Sequence, residues 1–378
     1  RAKPFAVAPL ERSELLEETS RVAKAARQWN VVLDAEADIG RLRSVEGDQG
    51  HTDSELRAVE ARWVLSLVPA EASSLLSCAN SPLASAEHRV DAALLAVRVA
   101  HEIGDFRLAH EAYAAVASIP SEPGASNRSL LQLVYHTSFG DPHTAITTAL
   151  SMREGLQSHD IATQLRVSRN LGVALCFLGH SDQGFALHKH YYDVASRLEL
   201  THWQFELASS CCLAAMNTES FELAEYWYDR ASEVRRPGVA SGVDLSHLLS
   251  GLELALQRKR PTEAQAVLAE LRKKGTGESI RVKAHMVGME TRVAQMDPSF
   301  QSSQDSIAEM RRLLKLAIPL LSADVVVLAL GEALRRHGHL EELRDDLRQY
   351  LSSRRDRAPF PNQVVHLAHA CNLDLADC

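Results

Sequence analysis

Long apolar runs are missing from this chain. No window approaches 18 uninterrupted apolar residues, which excludes an evident membrane-spanning helix. The opening, Arg1-Ala2-Lys3-Pro4-Phe5-Ala6-Val7-Ala8-Pro9, has too short an apolar run for a secretory signal, and without an initiating Met it reads as a processed start or a fragment of a longer protein. Strand-like alternation is not signalled anywhere. Six cysteines (Cys78, Cys176, Cys211, Cys212, Cys371 and Cys378) are scattered rather than paired, the usage expected of a reducing compartment, so the expected location is the cytoplasm. Neither a Gly-x-Ser-x-Gly elbow nor a zinc-protease helix occurs. The net charge of −8 and pI near 6.1 argue against a general affinity for nucleic acid or an anionic membrane, since phosphate binding draws on clustered Lys and Arg.

What the chain does have is a recurring helix-turn-helix signal. Gly104-Asp105-Phe106-Arg107-Leu108-Ala109, Gly140-Asp141-Pro142-His143-Thr144-Ala145, Gly179-His180-Ser181-Asp182-Gln183-Gly184, Phe221-Glu222-Leu223-Ala224 and Pro261-Thr262-Glu263-Ala264 align. Their closing small residues fall at 109, 145, 184, 224 and 264, at intervals of 36, 39, 40 and 40. A further match at Gly338-His339-Leu340-Glu341-Glu342-Leu343 leaves room for one more unit before it. Periods in this range mark a solenoid, in which each hairpin buries its apolar face against the next.

The pattern divides the chain into a helical N-terminal extension at 1–50, a repeat array at 51–352, and a linker with a C-terminal helix at 353–378. Helices are expected at about 53–67 and 69–80. The hairpins then pair 85–103 with 105–118, 126–139 with 141–154, 159–178 with 181–198, 201–218 with 220–235 and 243–258 with 261–274. An irregular sixth pair follows, its first helix ending near Met296 and its second running from 305 to 316, and the last pair is 324–337 with 340–352.

These hairpins resemble tetratricopeptide repeats. The resemblance is carried by Gly104, Asp105, Phe106, Ala109 and Tyr113 in the first clear unit, and by Leu171-Gly172, Leu175, Gly179 and Tyr191 in another. Phe221, Ala224, Tyr228 and Ala231 carry it in the next, and Leu330-Gly331, Leu334, Gly338 and Leu340 in the last. It implies an all-α, right-handed superhelical solenoid whose small residues let paired helices approach and whose aromatics fill the wedge between hairpins. The long, degenerate units also resemble the sensor arrays of bacterial STAND and LuxR-type signalling regulators. The implied function is non-catalytic: a protein- or peptide-binding module, the sensor or scaffold region of a cytoplasmic signalling or transcription regulator. The alternative is the regulatory region of a multidomain enzyme, a nucleotide cyclase or STAND ATPase, whose catalytic domain lies elsewhere.

In that family the first helices line the concave face. The residues expected to point into it are Arg98 and His101; Arg166, Arg169, Asn170, Val173 and Phe177; Ser209, Leu213, Met216 and Asn217; and Glu253. Arg166, Arg169 and Asn170 lie within one helical turn and are expected to converge on one acidic group of a partner, beside apolar Val173 and Phe177. No cofactor and no metal are expected. His366, His369, Cys371 and Cys378 form the best metal-like cluster, read as an ordinary terminal helix. Lys273-Lys274-Gly275-Thr276-Gly277 is read as a helix-ending turn rather than a phosphate loop, because no strand precedes it. Arg258-Lys259-Arg260 and Arg272-Lys273-Lys274 sit at opposite ends of one helix and are read as solvated surface. The expected partner is a protein or peptide, with no membrane contact, and self-association stays open.

Overall fold

The computed structural model describes residues 16, 19, 20, 34 and 35. It then describes 72–373, apart from 83, 104, 118, 120–125, 140, 157–160, 236–240, 275–279, 298–306, 318–322, 337–338 and 355–361. Apart from those first five residues, the expected helical extension at 1–50 and the expected helix at 53–67 lie outside the described residues. All regular structure among the described residues is helical. The helices are α1 (Ala72–Asn80), α2 (Ala86–Ile103), α3 (Phe106–Ala115), α4 (Ser126–Ser138), α5 (Pro142–Gly155), α6 (Ile161–Phe177), α7 (Ser181–Arg197), α8 (Thr201–Asn217) and α9 (Phe221–Val234). They continue with α10 (Ser241–Gln257), α11 (Pro261–Lys274), α12 (Ile280–Met296), α13 (Ile307–Ala317), α14 (Ala323–Arg336), α15 (Leu343–Arg354) and α16 (Asn362–Ala370). A 3-10 turn, Leu340–Glu342, precedes α15.

Each even-numbered helix from α2 to α14 pairs with the helix after it, as the small-residue register requires. Ala109, Ala145, Ala224 and Ala264 are fully buried. At the equivalent Gly184 an added Cβ would stand 2.6 Å from Cys176 Sγ and 2.7 Å from the Gly172 carbonyl oxygen, so only glycine permits that close crossing.

The turns repeat as well. After α6, α8 and α10, one backbone amide reaches back five residues to a carbonyl: His180 to Leu175, Ser220 to Ala215 and Arg260 to Ala255. This closure needs a left-handed residue just before the donor. Gly179 supplies it with φ 79° in the third unit, whereas Glu219 and Lys259 adopt φ 56° in the fourth and fifth. At the earlier hairpins Asp105 and Asp141 cap the following helix by accepting from backbone amides of Leu108, and of His143 and Thr144.

First helices touch their successors along the array, while second helices mainly touch the first helices on either side. The first helices thus form an inner layer and the second helices an outer one. Curvature brings distant members of that inner layer together: α12 touches α2, and one apolar cluster holds both apolar residues of α2 from Val90 to Val99 and Val287 of α12. Helix α2 is consequently buried on every side from Ala92 to Val97, a pattern that a surface helix with one apolar stripe does not produce.

Aromatic rings join hairpin to hairpin. Tyr113 of α3 stacks on Tyr135 of α4 with centroids 4.2 Å apart, and Tyr228 of α9 stacks on His247 of α10 at 4.3 Å. Tyr113 and Tyr228 both stand four residues beyond the register alanine. In the third unit that place belongs to His188, not to Tyr191. The His188 ring is buried, its Nε2 pairs with the Arg169 carbonyl at 3.1 Å, and an added Cβ at Gly172 would lie 2.2 Å from it.

Candidate inner-face binding site

The structure sorts the twelve expected contact residues into different situations. On α2, His101 meets Phe139 edge to face at 5.8 Å, so it contributes to the joint with α4, and Arg98 is half-buried on the helix that α12 covers. On α6, Asn170 is buried and donates to the Arg166 carbonyl of its own helix at 2.9 Å. Arg169 Nε stands 3.3 Å from Glu206 Oε2 on α8, without the alignment of a hydrogen bond, so their attraction is coulombic. Glu206 is 5% exposed and its other carboxylate oxygen pairs with His202 Nε2 at 2.5 Å.

The expectation that Arg166, Arg169 and Asn170 converge on a partner's acid is thereby corrected. The acid that Arg169 meets belongs to the chain itself, and Asn170 folds back because a buried amide satisfies its donors locally. Ser209 is likewise corrected: it is 7% exposed and presents almost no surface. Glu253 accepts from Gln257 Nε2 at 2.6 Å and from Arg292 on α12, so its carboxylate bridges two neighbouring first helices.

Val173, Phe177, Leu213, Met216 and Asn217 remain partly or fully exposed. Leu213 is 45% exposed, although every residue from Trp203 to Cys212 on the same helix is buried. Val173 and Leu213 stand forty residues apart in equivalent positions, as do Phe177 and Asn217, and α6 touches α8. The result is a partly apolar strip on two adjacent first helices, with the Arg169–Glu206–His202 cluster about one to three turns away toward the helix starts. Such a strip offers a surface for side chains rather than an enclosed reaction chamber.

The same forty-residue arithmetic locates residues that motif reading passed over. Glu206 stands one period beyond Arg166, and Arg292 stands 39 residues beyond Glu253, the spacing of their hydrogen bond. His188 gave a weaker signal, because a histidine replaces the tyrosine found at 113 and 228.

Elsewhere, the arginines of the two basic clusters have structural partners. Arg258 contacts Glu222 and Glu225, Arg260 contacts Glu225 and Glu263, and Arg272 contacts Glu290. Those basic residues are tied to acids rather than gathered into a positive stripe. His366 and His369 are exposed, Cys371 is buried with its Sγ 3.7 Å from the Leu340 carbonyl, and Cys378 lies outside the described residues. Among the described residues no group of three His, Cys, Asp or Glu could hold a metal ion. No helix among them is long and apolar enough to cross a membrane. Burial pushes the Cys176 thiol up to about 11 and Cys212 to about 12, so neither is poised as a nucleophile. No family model matches the chain, and no curated protein matches it significantly.

Proposed function

We propose that the chain is a tetratricopeptide-like binding module that holds a protein or peptide segment against its inner layer, as the sensor or scaffold region of a cytoplasmic signalling or transcription regulator. The observation that carries this reading is Leu213: a leucine 45% exposed on a first helix that is otherwise buried over two and a half turns. A single exposed leucine means little. Its weight comes from the half-exposed Val173 and Phe177 on the adjoining first helix and Met216 on its own. These make an apolar strip flanked by hydrogen-bonding Asn217, the mixture that recognition grooves use.

Site-directed photo-crosslinking tests the proposal. A photoreactive amino acid at position 213 should capture one discrete partner from native extract, and the same group at the outer position 226 should not. Capture that is equal from both positions, or absent from 213, contradicts it.

A further inference from the structure

A cleft of about 440 Å³ opens where the ends of α10 and α12 meet the start of α11, and no step of the peptide reading uses it. Leu256, Pro261 and Met296 supply apolar walls, and Lys259 and Arg292 supply two cations. Volumes of this order hold small molecules.

The cations are set up differently. Glu253, itself held by Gln257 at 2.6 Å, takes Arg292 Nη1 and so fixes the guanidinium in place. Nε and Nη2 of Arg292 keep no partner among the described residues. Lys259 occupies the left-handed turn position with φ 56°, is exposed, and makes no ion pair among the described residues. Pro261 is the first residue of the fourteen-residue α11, so the positive end of that helix dipole also lies at the cleft. The nearby acids are already engaged. Glu253 is held by Arg292, Glu263 by Arg260 at 3.4 Å, and Asp297 accepts from Gln265 at 2.8 Å.

We infer that this cleft binds a small organic carboxylate with a compact apolar body, the carboxylate bridging Lys259 and the outer edge of Arg292 while the body lies against Leu256, Pro261 and Met296. A guanidinium with two donors free along one edge matches a carboxylate in a forked geometry. The inference is independent of the peptide reading, which concerns α6 and α8.

Calorimetric titration of the full chain with octanoate and phenylacetate tests it, with octanamide and phenylacetamide as neutral controls. The acids should bind with Kd of about 1 mM or tighter, and the amides at least about tenfold more weakly. Lys259→Glu should weaken the acids by at least about tenfold with an unchanged melting curve, because that side chain is exposed. Met296→Trp, which fills the cleft from the opposite wall, should do the same; if it unfolds the chain, Lys259→Glu decides alone. No heat from either acid up to about 10 mM, amides that match the acids, or unchanged binding in Lys259→Glu overturns the inference. So does an acidic peptide that binds here when neither small acid does.

Discussion

The ring of Tyr228 lies parallel to that of His247, centroids 4.3 Å apart and planes 6° from parallel, and its hydroxyl occupies the space that a side chain at Gly251 would need. One tyrosine thereby fastens the fourth hairpin to the fifth. Burial raises its phenolic pKa, as expected for a ring removed from water. Ser232 closes the joint by pairing with His247 Nε2 at 3.1 Å.

Tyr228→Ala should therefore cost about 3 kcal/mol in denaturant unfolding, near the low end for a large core aromatic because the ring is half-buried. Tyr113→Ala should cost a similar amount through its stack on Tyr135. A loss below about 1 kcal/mol at both sites would mean that these rings do not hold the hairpins together.

His188 gives the fold a pH dependence. Its pKa falls to about 4 from an ordinary 6.5, chiefly through burial. The folded state thus takes up less proton than the unfolded chain between those values, so this group's contribution is complete above pH 6.5 and declines as pH falls toward 4. Between pH 7 and pH 5 the loss is on the order of 2 kcal/mol. Urea midpoints for wild type and His188→Gln across that range should converge on acidification; parallel curves would contradict the assignment.

Glu219→Gly should stabilise the chain by about 0.5–1 kcal/mol, because glycine enters the left-handed region without the strain that a Cβ adds, a gain partly offset by chain entropy. Glu219 is exposed and its side chain makes no ion pair among the described residues, so nothing else is lost. Thermal melts decide the sign, and a lower Tm would show that the turn gains from its side chain.

Arg169→Ala should destabilise by about 1–3 kcal/mol, since it removes the cation that stands beside the buried carboxylate of Glu206. The cost falls below that of a fully buried pair because Arg169 is one-third exposed. Adding Glu206→Gln should recover much of the loss. Unchanged stability in the single variant would return Arg169 to the list of residues free to meet a partner.

The fold was legible where one small residue per repeat had to be small: Ala109, Ala145, Gly184, Ala224 and Ala264 fixed the phase, and helix ends followed within a few residues. Among the described turns, glycine marks the left-handed position at 179. Glu219 and Lys259 concealed the same conformation, because packing of the hairpin imposes a left-handed backbone that local preference disfavours. The site was less legible. Helical spacing put Arg166, Arg169 and Asn170 within one turn of each other, but it could not show that Glu206 of the next first helix already stands beside Arg169. Nor could a repeat period reveal that α12 meets α2, which depends on curvature accumulated over five hairpins.

The central claim is that the inner strip on α6 and α8 binds a peptide segment, and Leu213→Asp tests it most directly. Peptides selected against the chain from a random library should bind this variant at least about tenfold more weakly than wild type, with an unchanged melting curve because Leu213 is exposed. In wild type the same peptides should slow amide exchange in α6 and α8. Equal affinity for the variant, with protection confined to α9 around exposed Leu223 and Tyr226, would contradict the account and place the binding surface on the outer layer.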